Sequence, residues 1–266
     1  MNSGLIFFRI ARYLKYIFVS VNRKGHGIHS PFVFDIVSRV FRNKTDPAVV
    51  YYIEKLRRSL TGDKRIINVM DFGAGAEKSP GNLKNVSDIA KYSAVPGKYG
   101  KLLANMAAEF GRPLVIEFGT SLGISTLYMA LSCGETPLLS MEGSPETAEI
   151  ASRNFQEAGL KNIRLKVGQF EDIIPEIINQ GIRPGLVFID GNHRKKPLLD
   201  YFKKMAEISD NNSVIIIDDI YYSPEMEEAW NEIKQYGKVS LTIDIFRMGI
   251  VFFRAGIGRN DYIIRY

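Results

Sequence analysis

The chain has 266 residues, 45% hydrophobic and 24% charged, with a net charge of +6. This length suits one α/β domain plus a sizeable N-terminal extension, and the composition is that of an ordinary globular protein. Cys133 is the only cysteine, which excludes an intrachain disulfide or a cysteine metal cluster. The modest positive excess, centred on the first 65 residues, implies no nucleic-acid partner.

Residues 5–21 are apolar, with Arg9, Arg12 and Lys15 at helical spacing, and predict a basic amphipathic helix. Its uncharged runs fall short of the ~20 residues of a membrane span, and no small-residue cleavage site follows, so neither a transmembrane helix nor a signal peptide is expected. Such a helix can make peripheral contact with a membrane or pack on its own domain or on the second subunit of a homodimer; packing is the preferred reading. Ser30-Pro31 and Asp46-Pro47 are N-cap and first-turn pairs that predict helices to about Arg42 and Leu60. His26 and His29 have no acid or cysteine near them in sequence, which suits a packing or substrate-contacting loop better than a metal site.

Residues 66–76 mimic a ligand-binding turn, with an apolar run, Asp71, then Gly73 and Gly75. Pro80 and Gly81 follow too soon for a helix, so residues 71–82 read as a flexible loop near an active-site mouth, or simply as a structural loop. Helical character returns from Val86, and residues 97–110 predict a helix. Strands and helices then alternate: strands at 114–118, 137–141, 163–167, 186–190 and 213–218, with helices at 123–133, 145–158, 170–180, 195–208 and 224–236. That alternation predicts a parallel sheet covered by helices. Residues 239–243 and 249–253 flank a turn and predict a β-hairpin. Cys133 falls late in a helix and reads as a buried, inert thiol.

The most informative segment is Val115-Ile116-Glu117-Phe118-Gly119-Thr120-Ser121-Leu122-Gly123-Ile124-Ser125. It reads as a strand, a tight glycine turn and a helix start. About twenty residues on, a second strand ends in Glu142, where an acid suits a ribose diol. The spacing E-x-G-x-x-x-G-x-S resembles motif I of the class I S-adenosylmethionine (SAM) dependent methyltransferases, and the stretch from about Val95 to Phe253 is most similar to small-molecule O-methyltransferases of the catechol O-methyltransferase type. The resemblance implies a Rossmann-like α/β fold with a seven-stranded, mostly parallel sheet and an antiparallel C-terminal hairpin beside strand 213–218. The expected domains are an N-terminal helical extension (1–65), a loop and helix near the active-site mouth (66–96) and the methyltransferase domain (97–266).

The resemblance also implies roles for residues at the carboxyl ends of the strands, where such sheets bind ligands. Glu117, Gly119, Thr120, Ser121, Gly123 and Ser125 would hold the methionine part of SAM, and Val95 would also belong to the cofactor site. Glu142 would hold the ribose, and Gly168, Phe170 and Glu171 would edge the adenine. Phe170 and Glu171 read equally as a core aromatic and an ordinary first-turn acid.

Asp190 would border both cofactor and acceptor. Asp190, Asp218 and Asp219 converge on one sheet edge, where their charges raise one another's pKa unless a cation neutralises them. By resemblance they would bind Mg²⁺ or another divalent cation, although the family has asparagine where Asp219 stands. His193 follows Asp190 by three residues, where the relatives have a lysine base, and a histidine titrates near neutrality; it reads alternatively as part of an exposed helix start. The expected activity is methyl transfer to a hydroxyl of a small-molecule acceptor in the cytoplasm. The alternatives are a metal-independent methyltransferase acting on another nucleophile, a NAD-type oxidoreductase, and a SAM-binding protein without catalysis.

Overall fold

The structure is a computed structural model describing residues 3–21, 28–70, 82–256 and 258–266. In chain order its elements are α1 (Ser3–Val19), α2 (Pro31–Asp35), a π-helical turn (Ile36–Phe41), α3 (Pro47–Gly62), β1 (Ile66–Val69), β2 (Asn82–Asn85), α4 (Val86–Tyr92), α5 (Gly97–Phe110), β3 (Val115–Phe118), α6 (Ile124–Ala130) and β4 (Leu138–Glu142). There follow α7 (Pro145–Glu157), β5 (Ile163–Val167), α8 (Phe170–Asn179), β6 (Leu186–Ile189), α9 (Lys195–Ile208), β7 (Val214–Ile217), α10 (Pro224–Lys234), β8 (Leu241–Asp244), β9 (Gly249–Phe252) and β10 (Asn260–Ile263). They fall into two compact units, residues 1–42 with 187–266, and residues 43–186; one boundary lies inside the expected N-terminal extension and the other inside the expected methyltransferase domain.

In the unit of residues 43–186, β3, β4 and β5 pair in parallel, with Val115 opposite Leu138 and Leu138 opposite Ile163. All four residues of β3 are buried, the charged Glu117 among them. Leu102, Leu103, Met106, Ile116, Phe118 and Tyr128 are fully buried here, and such side chains each contribute about 1.5–3 kcal/mol through lost contact with water. At Gly100 a Cβ would come within 2.3 Å of the Tyr128 ring, so only glycine permits this close approach of α5 to α6. Asp46 starts α3 as expected, accepting the Ala48 N–H at 2.8 Å. The run 66–69 is β1, which among the described residues pairs with β2 in a two-stranded antiparallel sheet. Apart from Asn82, the expected loop 71–82 lies outside the described residues.

In the other unit the strand order is β10-β8-β9-β7-β6. β9 runs antiparallel to both β7 and β8, so the expected hairpin is present beside the expected strand. β10 was not legible in the sequence; it pairs in parallel with β8. β10 is a strand beyond the seven expected. The helix predicted over 31–42 is α-helical only to Asp35, and continues as the π turn where the Ser38 hydroxyl bonds back to the Phe34 carbonyl at 2.7 Å.

α1 is tied down within this unit. The Tyr16 hydroxyl donates to the Ile264 carbonyl at 2.7 Å and accepts the Tyr266 N–H at 2.9 Å, and Arg12 pairs with Glu227 at 2.6 Å. Phe7 and Phe18 on the same helix stay exposed. Among the described residues no helix is long and apolar enough to cross a membrane.

Candidate functional site

The glycine turn after β3 takes the conformation its sequence suggests. Gly119 and Gly123 have φ of 93° and 84°, a region open to glycine at little cost. At Gly123 the packing also forbids a side chain, because a Cβ would meet the Phe155 ring at 2.5 Å. The turn runs across the end of β4, with the N–H groups of Gly119 and Thr120 donating to the Met141 carbonyl at 3.0 and 3.1 Å.

Glu142, half-buried at the end of β4, accepts the Ser121 N–H at 2.8 Å with one oxygen and the Ser144 N–H at 2.9 Å with the other. The Gly168 N–H donates to its carbonyl at 2.9 Å. Gly119, Thr120, Ser121, Glu142 and Gly168 therefore come together. Burial raises the Glu142 carboxyl above its ordinary pKa, opposed by the backbone N–H groups. The carboxylate keeps further lone pairs, so the donor set fits a ligand that offers hydroxyl hydrogens to Glu142.

Glu117 is placed differently from the expectation. It is completely buried, and the hydroxyls of Ser125 and Ser140 (each 2.6 Å) and of Thr126 donate to it. Thr120 bonds Ser140 in turn. Glu117 and Ser125 thus brace the turn from inside. Burial pushes the Glu117 carboxyl up to about 7, opposed by the three hydroxyls. Val95 is buried, its carbonyl accepting from Arg57 at 2.6 Å. Phe170, at the start of α8, meets Phe118 edge-on with ring centroids 5.4 Å apart, and Glu171 is exposed beside it. Cys133 is buried, and burial raises its thiol pKa, as expected of an inert residue. His29 is exposed, and His26 lies outside the described residues.

The acids of the other unit stand at the ends of β6 and β7. Asp190 lies 3.7 Å from His193 Nε2, and the His193 ring stacks on Tyr222 with centroids 5.2 Å apart. Arg9 of α1 lies over the other partner in that stack, 4.1 Å from the Tyr222 ring centroid, and donates to the Tyr222 carbonyl at 2.8 Å.

The Asp218 side chain has no exposed surface, and Arg247 grips both its oxygens: Nε at 2.9 and 3.1 Å, Nη2 at 2.6 Å. Arg247 Nη2 is also 3.8 Å from Asp219. Burial and then the Asp219 charge raise Asp218 to about 6, against the pull of Arg247. Burial works against the Arg247 charge, but Asp218, Asp219 and Asp190 outweigh it and hold the guanidinium protonated.

This arrangement does not fit the divalent cation expected at Asp190, Asp218 and Asp219. Such an ion needs carboxylate oxygens at about 2.0–2.6 Å, and a permanently charged guanidinium already covers both oxygens of Asp218. Among the described residues no group of three or more His, Cys, Asp or Glu could hold a metal ion. Sequence reasoning noted that the acids need a cation but missed Arg247 as its source. The available signal was an arginine in the hairpin turn, two residues before the strand that pairs with β7.

A family model described as a methyltransferase domain matches residues 116–220. A catechol O-methyltransferase of Niastella koreensis is 30% identical over 127 residues, covering 47% of this chain and 55% of that protein. One of Mycobacterium tuberculosis is 30% identical over 129 residues, covering 48% and 57%. The chain spans about half the length of these curated relatives. Among solved structures, an O-methyltransferase of Streptomyces achromogenes in complex with SAM shares the fold, with a TM-score of 0.54 and 22% identity over 61% of this chain and 82% of that one. The matched stretch is thus similar to a methyltransferase domain and to catechol O-methyltransferases, and the chain shares the fold of solved O-methyltransferases.

Proposed function

We propose that this protein transfers the methyl group of SAM to a hydroxyl oxygen of a small molecule. The observation that carries the reading is the joining of the glycine turn to Glu142, which holds the Ser121 N–H at 2.8 Å and leaves lone pairs for a ribose diol. Gly119, Thr120, Ser121 and Gly168 would form the rest of the cradle, with Phe170 and Glu171 toward the adenine. Glu117, Gly123 and Ser125 would keep the turn in shape. When bound, SAM supplies a methyl carbon on a positively charged sulfur, so the sulfur leaves as a neutral thioether.

The chain's own task is to hold the acceptor and remove its proton. His193 Nε2 would take the proton that the acceptor hydroxyl gives up. Asp190, 3.7 Å away, would favour the imidazolium that forms. Stacking on Tyr222 fixes the ring plane. A small-molecule acceptor follows by analogy with the catechol O-methyltransferases.

Calorimetry with SAM and with NAD⁺, followed by an acceptor screen with methyl-labelled SAM over catechols, phenols and aliphatic alcohols, tests this reading. Tight SAM binding, no NAD⁺ binding and labelled ether products are expected. NAD⁺ binding in preference to SAM would overturn it in favour of an oxidoreductase, and SAM binding with label on nitrogen or carbon would overturn the hydroxyl acceptor.

A further inference from the structure

We propose that Arg247 is a built-in counter-ion for Asp218 and Asp219, standing where a divalent cation would have to bind, so that this chain works without a metal at that cluster. The charge-neutralising part stands on geometry alone; the catalytic consequence rests on the methyl-transfer reading.

The contact is of the kind that competes with a metal. A two-pronged guanidinium–carboxylate pair is among the strongest side-chain hydrogen-bonding arrangements, and here it satisfies both oxygens of a carboxylate with no exposed surface. Displacing Arg247 with a cation would leave a second positive charge beside the first, in surroundings that screen poorly.

Nor is Arg247 free to swing away. It sits in the turn between β8 and β9, where the Ile220 N–H donates to its carbonyl at 3.2 Å and its own N–H donates to the Ile245 carbonyl at 2.9 Å. Phe246, the residue before it, is held at φ of 71°, unfavourable for a side chain of that size. Its ring is boxed by Tyr13, Tyr16 and Tyr221, with centroids 5.0, 5.4 and 5.7 Å away. Two of these tyrosines belong to α1. The N-terminal helix therefore braces the turn that presents Arg247, a role for α1 inside its own unit.

A guanidinium supplies charge and N–H donors but no Lewis acidity. It would orient the acceptor by hydrogen bonds and could not lower the pKa of a hydroxyl by direct coordination. That places deprotonation on His193 and Asp190.

Mn²⁺ serves as the probe, followed by electron paramagnetic resonance and thermal melting of the full chain. The intact protein should bind no stoichiometric Mn²⁺, and its melting midpoint and SAM affinity should be the same in EDTA and in MgCl₂. Arg247→Met should free the carboxylate oxygens of their guanidinium partner and gain a Mn²⁺ site that Asp218→Asn abolishes. Stoichiometric Mn²⁺ binding by the intact protein would overturn the proposal, as would a folded Arg247→Met protein that binds none.

If Arg247→Met does not fold, the uncharged pair Asp218→Asn with Arg247→Met decides. Its folding supports a charge-neutralising role, whereas its failure to fold means that Arg247 supplies shape rather than charge. SAM affinity is read separately, so failure of the methyl-transfer reading shows there and leaves the Mn²⁺ result intact.

Discussion

Glu117 and Asp218 are both buried carboxylates at strand ends, and the chain satisfies them in opposite ways. Glu117 is met by three neutral hydroxyls, and burial wins: its carboxyl keeps its proton up to about pH 7. Asp218 is met by a guanidinium, and its raised value of about 6 still leaves it charged at neutral pH, beside a firmly protonated Arg247. Neutral donors suit an acid that shapes a turn and need carry no charge. A paired ion suits an acid that must anchor another charged group. The same residue chemistry thus gives a brace in one unit and an electrostatic centre in the other.

The sharpest way to break the comparison is to remove the cation. Arg247→Met leaves Asp218 buried and unpaired, and should cost about 3–5 kcal/mol of stability at neutral pH, measured by urea unfolding. Lowering the pH to 5 should recover much of that loss, because Asp218 can then take up a proton. An equal loss at both pH values would show that the guanidinium acts by packing rather than by charge.

A smaller effect is expected at Glu117. Its folded pKa lies above its ordinary 4.5, so the folded state holds the proton more tightly than the unfolded state. The contribution is therefore complete below about pH 4.5 and is lost as the pH rises toward 7, a change of up to about 3 kcal/mol. Glu117→Gln should flatten that part of the stability–pH curve and leave the protein more stable than its parent above pH 7. Parallel curves for the two proteins would mean that Glu117 is charged throughout.

Glu142 sharpens the comparison from the ligand side. Glu142→Ala should weaken SAM binding by about 1.5–3 kcal/mol through loss of a charge-assisted bond. It also releases the Ser121 and Ser144 N–H groups, so a modest drop in melting temperature should accompany the loss. Calorimetry showing unchanged SAM affinity in a folded Glu142→Ala protein would remove Glu142 from the site.

What the sequence determined by itself was local. Ser30-Pro31 and Asp46-Pro47 start helices because a capping oxygen followed by proline leaves the chain few other options, and the alternation after residue 114 marks strands and helices because side-chain periodicity reports burial. Gly119 and Gly123 marked the tight turn for the same local reason, their freedom to take positive φ. The partner of each polar group was decided elsewhere. Ser140 reaches Glu117 only because β4 lies beside β3, and Arg247 reaches Asp218, 29 residues earlier, only because β9 inserts between β7 and β8. The added strand β10, with its parallel pairing to β8, depends likewise on strand order. A one-dimensional pattern tells which face of a strand is buried and whether an acid stands at its end. Which cation or hydroxyl meets that acid depends on which strands become neighbours, and tertiary packing alone settles that.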